Sequence, residues 1–313
     1  MKVLITGAAG FIGSHMAERL ARDGAVVVGV DNFSDYYDPA LKRQNARETA
    51  AVGVETIEMD LAEKRSYDAL PLDFDFILHF AAQPGILAGT SAGAYIRNNL
   101  EATRLLVDFA GRQSALKHFF NMGTSSVYGA YAMKTEDKVP EPTSQYGVTK
   151  LAAEQWVLAE TRKGRLRASS LRLYSVYGPR ERPDKLYTRL IKAGLEGSAF
   201  PLFEGSLQHK RSFTFVGDIV DGIALAMDRH EALVGEIINL GSDEQHTTEE
   251  GLHAVENALG VKIRTESFPP RDGDQVETRA EIAKAHKLLG YRPRTSLADG
   301  IARQIAWYRN ISA

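Results

Sequence analysis

The chain has 313 residues, 44% hydrophobic and 25% charged, the balance of a globular protein long enough for one large domain or two smaller ones. Its formal net charge of −2 gives no attraction to nucleic acid or an anionic membrane, and no apolar run approaches the ~20 residues of a membrane span. It contains no cysteine, which removes disulfides, thiolate metal sites and a cysteine nucleophile and fits a reducing, cytoplasmic setting.

Met1 leads straight into KVLIT (Lys2–Thr6), which reads as a buried strand rather than as the charged and apolar regions of a secretory signal. Further strands are expected at 25–30 (AVVVGV), 54–59 (VETIEM), 75–80 (DFILHF), 118–122 (HFFNM) and 168–173 (ASSLRL). Segments of helical period separate them at 15–22, 94–111 and 146–163. Strands alternating with helices predict an α/β fold, a doubly wound parallel sheet covered on both faces. After residue 173 the rhythm loosens, with Gly178, Pro179 and Pro183 close together. INLGS at 238–242 reads as one more strand of the main sheet, and the tail from about 247 carries two helical segments. The expected division is a nucleotide-binding domain at 1–173 with a returning segment at about 212–243, and a smaller mixed α/β domain from 174–211 and 244–313.

The loop TGAAGFIG lies between the first strand and the first helix. Gly7 allows a tight turn, Gly10 lets backbone approach a pyrophosphate, and Gly13 lets the helix pack closely, with Phe11 and Ile12 between them. The spacing is GxxGxxG, one residue longer in its first gap than the usual fingerprint. Asp31 ends the second strand, 18 residues after Gly13. A carboxylate there can bind both ribose hydroxyls of an adenosine and would repel a 2′-phosphate; its neighbour is Asn32 rather than arginine, so NAD is favoured over NADP. Asp60 and Leu61 follow the third strand, where Asp60 can reach an adenine, and Phe80, Ala81 and Ala82 close the fourth with little bulk.

Tyr146 and Lys150 are four apart in a helical segment and share one face. A tyrosine is a poor base at neutral pH. A neighbouring ammonium and a nicotinamide cation would both favour the phenolate, which could take a hydroxyl proton as hydride leaves the same carbon. TSSVYG (124–129) follows the fifth strand, at the carboxyl end where parallel sheets place ligands, and offers the hydroxyls of Thr124, Ser125 and Ser126 to a polar substrate. Ser and Thr equally favour a capped turn there. The eight histidines show no metal-binding spacing, and the basic cluster Arg162, Lys163, Arg165 and Arg167 reads as a solvated helix end.

The motifs TGAAGFIG, VDN, HFAAQ, TSSVYG, YGVTK, VYGPRERPD and LGYRP, in this order, resemble the extended short-chain dehydrogenase/reductase family. Within it the chain is most similar to nucleotide-sugar epimerases, and among those to UDP-glucuronate 4-epimerases. The resemblance implies a Rossmann domain holding NAD, a C-terminal domain for the UDP-sugar, and a homodimer paired through the helices near 94–111 and 146–163. It implies Tyr146 as base, Lys150 on the nicotinamide ribose, Thr124 on sugar O4 and Asn99 on the cofactor side. Arg211, Arg271 and Asp274 match residues for UDP phosphate and ribose, and Phe203 a stacking partner for uracil.

Two positions bear on the reaction. Family dehydratases and decarboxylases carry an acid before the valine of the hydroxyl loop; Ser126 stands there, which favours epimerisation over elimination. Galactose-type enzymes carry asparagine where this chain has Ser175, and Arg182 matches the arginine that meets a sugar carboxylate. Ser125, Ser126, Ser175 and Arg182 could hold that carboxylate so that the 4-keto acid keeps its CO₂. The chain departs from the family pattern at Leu87, Lys185 and Ser212. Alternatives are epimerisation of UDP-glucose or a UDP-N-acetylhexosamine, decarboxylation of UDP-glucuronate, and a non-catalytic NAD-binding regulator.

Overall fold

The computed structural model describes residues 1–85, 90–270 and 277–312. Leu87, Arg271 and Asp274 lie outside the described residues.

Seven strands form the main sheet: β1 (Lys2–Thr6), β2 (Val26–Asp31), β3 (Glu55–Glu58), β4 (Phe76–His79), β5 (His118–Thr124), β6 (Ala168–Leu173) and β7 (Ile237–Leu240). Their spatial order is β7-β6-β5-β4-β1-β2-β3. β1 pairs in parallel with both β2 and β4, β2 with β3, and β4 with β5. The direction of winding reverses between β1 and β4, and such a switch point opens a crevice at the carboxyl ends of the strands. Consecutive residues are buried along these strands: Val3, Leu4 and Ile5, then Ile77 and Leu78, then Phe119 and Phe120. Both faces of the sheet are therefore covered, which is why the runs read as uninterrupted apolar stretches.

Four helices matter for the site: α1 (Phe11–Arg22), α2 (Pro39–Ala50), α3 (Ala102–Ala110) and α4 (Gln145–Arg162). Leu105, Leu106 and Phe109 of α3 and Val157 of α4 join Leu4, Val28, Ile77 and Phe119 of the strands in one apolar cluster. α1 begins four residues before the expected start and buries Met16, Ala17 and Leu20. α2 was not expected; its signal is the pair Asp38–Pro39, with Asp38 accepting from the Ala40 N–H and proline in the first turn. The stretch expected as one helix over 94–111 is interrupted by a π-helical turn at Ile96–Glu101.

The chain forms two compact units. The first comprises Met1–Gly129, Val139–Arg172 and Ile223–Ile238, the second Ala130–Lys138, Leu173–Gly222 and Asn239–Ala313. This division differs from the expected one in two places: 130–138 goes with the second unit, and the returning segment is 223–238. Within the second unit, Lys210–Arg211 pairs antiparallel with His246–Thr247 and parallel with Glu277–Thr278, which pairs in turn with Tyr131–Ala132. That last pairing draws 130–138 into the unit. Among the described residues the tail holds three helices where two were expected, at Thr248–Leu259, Ala283–Leu289 and Leu297–Ser312. The extra one has only seven residues, too few to show a helical period.

Gly7 sits at φ +69°, and a Cβ on Gly13 would collide with the Gly7 carbonyl oxygen. The obstacle is backbone, so it cannot rotate away. Gly13→Ala is expected to cost about 1–3 kcal/mol, read as a lower urea midpoint at unchanged m-value. An unchanged midpoint would show that the turn yields to the methyl group.

Candidate active site

The turn after β1 and the end of β2 meet at one carboxylate. Asp31 Oδ2 accepts from the Ala9 N–H at 3.1 Å and Oδ1 from the Phe33 N–H at 2.9 Å. Burial raises the Asp31 carboxyl above its ordinary value, while Lys42 and these two N–H groups oppose that. Each oxygen keeps acceptor capacity beyond its one backbone donor. Gly10 is the N-cap of α1 and supplies no side-chain cap, so the amides of the first turn at Phe11, Ile12 and Gly13 lack a side-chain acceptor from it. Asn32 is exposed and its Oδ1 accepts from the Ser34 N–H. Asp60, expected near an adenine, accepts from Arg97 Nη2 at 2.9 Å and from the Ala62 N–H, and Leu61 is buried in the core. Phe80, Ala81 and Ala82 lie half-buried past the end of β4, and a Cβ on Gly7 would be 2.8 Å from the Ala81 nitrogen. The two turns at the switch point are thus in backbone contact.

Asn99 lies in the π turn, 1% exposed. Its Oδ1 accepts from the Gln83 N–H at 2.7 Å, and its Nδ2 donates to Gln83 O and to Thr149 Oγ1. It therefore joins the segment after β4 to helix α4.

The hydroxyl loop packs against the start of α4. Thr124 ends β5, and its Oγ1 accepts from the Ser126 N–H at 3.2 Å. Thr124 and Ser125 are buried and Ser126 half-buried. A Cβ on Gly147 would stand 2.7 Å from Ser126 O, so glycine is needed for loop and helix to meet beside Tyr146. Tyr146 is half-buried, with its ring centroid 6.5 Å from that of Tyr95. Lys150, one turn on, is 3% exposed.

One turn beyond Lys150 comes a residue the sequence reading passed over. Glu154 is fully buried and takes a bidentate pair of bonds from Arg172 on β6, Nη2 to Oε1 at 2.6 Å and Nε to Oε2 at 3.0 Å. Ser170 Oγ donates to the same carboxylate at 2.9 Å. Arg172 Nη1 donates to the Tyr128 hydroxyl at 2.7 Å, which ties in the hydroxyl loop. Burial alone would disfavour the Arg172 charge, but the bonds and charge of Glu154 outweigh it and hold the guanidinium protonated. The available signal was an arginine inside the apolar run LRL, which demands a buried partner.

The remaining expected residues belong to the second unit. Ser175 begins a short strand, Ser175–Tyr177, paired with Phe213–Phe215. Arg182 donates from Nε and Nη2 to the two oxygens of Asp184, both at 2.9 Å. Its neighbour Glu181 is buried and accepts from Thr188 Oγ1 and Gln304 Nε2, which anchors the loop. Arg211 lies on the strand Lys210–Arg211, and Phe203 ends the strand Phe200–Phe203 with its ring 6.1 Å from that of Phe268. Among the described residues, no group of three or more His, Cys, Asp or Glu could hold a metal ion, and no helix is long and apolar enough to cross a membrane.

Residues 3–241 match the model of the NAD dependent epimerase/dehydratase family. The chain belongs to that family. Among its relatives, UDP-glucuronate 4-epimerase 2 of Arabidopsis thaliana is 32% identical, over 98% of this chain and 76% of that protein. UDP-glucuronic acid 4-epimerase of Bacillus cereus, solved with UDP-glucuronic acid and NAD, superposes with a TM-score of 0.91 at 32% identity, over 99% of this chain and all of that one. MoeE5, solved with UDP-glucuronic acid and NAD and again with UDP-glucose and NAD, is 33% identical with TM-scores of 0.85 and 0.86. NAD is the cofactor of this family member, and the turn fits it: a carboxylate at the end of β2, a helix N-terminus without a side-chain cap, and glycine where a Cβ would collide.

The Lys150 ammonium carries a stability cost. Burial drags it from 10.5 down to about 8, with Glu154 pulling the other way. Its folded value is the lower one, so the cost is full below about pH 8 and vanishes as pH rises through 10.5. Lys150→Met is expected to raise stability at pH 7 by about 1–3 kcal/mol, and by little at high pH. Urea unfolding at both pH values checks this; a destabilised variant at pH 7 would refute it.

Proposed function

We propose that this protein interconverts UDP-glucuronate and UDP-galacturonate by NAD-dependent epimerisation at sugar C4. The observation that carries the reading is the backbone contact between Ser126 and Gly147, which seats a loop of hydroxyls, with no carboxylate at 124–126, beside Tyr146 and Lys150. The likeness to UDP-glucuronate 4-epimerases over nearly the whole chain supports it.

NAD, when bound, supplies reversible hydride acceptance at sugar C4. Asp31 would hold its adenosine ribose, the first turn of α1 its pyrophosphate, and Lys150 its nicotinamide ribose. Tyr146 takes the proton of the sugar 4-hydroxyl and gives it back to the opposite configuration after the 4-keto sugar turns over. The Lys150 ammonium favours the phenolate form that does this. Thr124 orients the oxygen through its hydroxyl. Elimination or decarboxylation lacks an extra acid at 126, where a serine stands. Keeping Tyr146, Lys150 and Thr124 together speaks against a non-catalytic regulator.

In the second unit, Ser175 and Arg182 are assigned to the sugar carboxylate, Arg211, Arg271 and Asp274 to UDP phosphate and ribose, and Phe203 to uracil. UDP-glucose is the second reading: MoeE5 has been solved with both sugars, and two of the Arg182 donors already face Asp184. Exposed Ile96 in the π turn and exposed Val148 and Trp156 on α4 support a homodimer across these helices, with light scattering as the check. The lack of cysteine suits a cytoplasmic location.

Tyr146→Phe is expected to lower kcat about 10²–10⁴-fold while substrate still binds, because only the proton transfer loses its base. Near-normal kcat would remove Tyr146 from that role. A panel of UDP-sugars followed by NMR for the C4 epimer and released CO₂ decides the sugar. UDP-glucuronate should turn over far better than UDP-glucose, and Arg182→Ala should narrow that gap and raise CO₂ release. Preference for UDP-glucose with Arg182→Ala harmless would establish the neutral-sugar reading instead.

A further inference from the structure

A second chain of buried polar groups, separate from the Glu154–Arg172 pair, runs from Thr6 at the end of β1 to the backbone of Tyr146. Thr6, His79 and Thr103 are all fully buried. The Ala81 N–H donates to Thr6 Oγ1 at 3.2 Å, and Thr6 Oγ1 is 2.8 Å from His79 Nδ1. His79 Nε2 is 2.9 Å from Thr103 Oγ1, which donates to Asn99 O at 2.6 Å. Thr149 Oγ1, which accepts from Asn99 Nδ2, shares its one proton between the carbonyls of Gln145 and Tyr146, at 2.9 and 3.1 Å.

The directions of these bonds are determined. Thr103 spends its one hydroxyl proton on Asn99 O, so its oxygen receives the proton of His79 Nε2. The imidazole is neutral, because burial pushes it down to about 3 and the Lys150 charge acts in the same sense. His79 Nδ1 therefore accepts, Thr6 must donate to it, and the Thr6 oxygen is left for the Ala81 N–H. No other residue type at 79 offers one acceptor and one donor on opposite sides of a rigid ring.

We infer that His79, acting through Thr6 and Thr103, is a positioning residue that holds the turn after β4 and the Asn99–Thr149 link in one register, and so sets Tyr146 relative to the bound nucleotide. The inference rests on the reading of Tyr146 as the base. Its test therefore includes NAD retention, which is measured without turnover.

Thr103→Val keeps the shape of the side chain and removes the hydroxyl; Thr103→Ser restores it. With NAD-loaded enzyme, Thr103→Val is expected to lower kcat on the best UDP-sugar by about 10–100-fold with KM within about threefold, since small misplacements at a reacting centre act on kcat. The same variant should lose NAD on gel filtration that the native protein keeps. Thr103→Ser should recover both. Thr6→Val, breaking the chain on the other side of the ring, should reproduce the Thr103→Val pattern, and it stands in if Thr103→Val does not fold. Variants that melt earlier but retain NAD and native kcat, or a Thr103→Ser as poor as Thr103→Val, would overturn the proposal. If the native protein turned over no UDP-sugar, the reaction assigned to Tyr146 would fail, while NAD retention would still decide whether the relay positions the nucleotide turn.

Discussion

The ion pair between Glu154 and Arg172 is the constraint on which the arrangement of the site depends. Taking two charges out of water costs several kcal/mol each, and only close geometry with further hydrogen bonds repays it. Here the carboxylate receives three donors, two from Arg172 and one from Ser170, and the guanidinium adds the Tyr128 hydroxyl. The apolar cluster around Leu106 and Phe109 supplies most of the cohesion, but hydrophobic contact has no preferred direction. Three pieces of the site belong to separate elements: helix α4, strand β6 and the hydroxyl loop. The pair fixes their angles, because its bonds are lost when any of the three rotates.

Two buried charged groups, Asp31 and Lys150, belong to the candidate site. Asp31 is committed to two backbone amides yet keeps lone pairs. Lys150 is held charged against burial, at a cost to stability that a methionine would not incur. Such local costs are tolerated where the surrounding core is dense, and they mark this site as the part shaped by chemistry rather than by folding alone.

Much of this was legible in the sequence, for identifiable reasons. The strands KVLIT and ASSLRL were readable because both faces of the sheet are covered. Gly7, Gly13, Asp31, Tyr146 and Lys150 stood out as candidates because they fall in short spacings within or just after one element. Glu154, Arg172 and His79 were not, because each acquires its meaning from a partner far along the chain: Glu154 and Arg172 are 18 residues apart, and Thr6 and His79 are 73. An arginine or histidine in an apolar run announces that a partner exists without saying which. The π turn was hidden for a related reason. The periods of α- and π-helix differ too little over six residues to be read from a sequence, and the partners of Asn99 in that turn, Gln83 and Thr149, lie 16 and 50 residues away.

That turn also limits how the chain can change in length. A π turn is a helix carrying one residue more than an α-helical path needs. Deleting a single residue from Ile96–Glu101 would close the helix to an α-helical path with its flanking segments near their present phase, and would abolish the widened turn in which Asn99 sits. With the turn would go the placing of the Asn99 amide, which joins Gln83 to Thr149. Surface loops of this protein can absorb insertions and deletions at little cost. The stretch from Ala92 to Ala110 cannot: its residue count is as much a requirement of the site as the identity of any side chain in it.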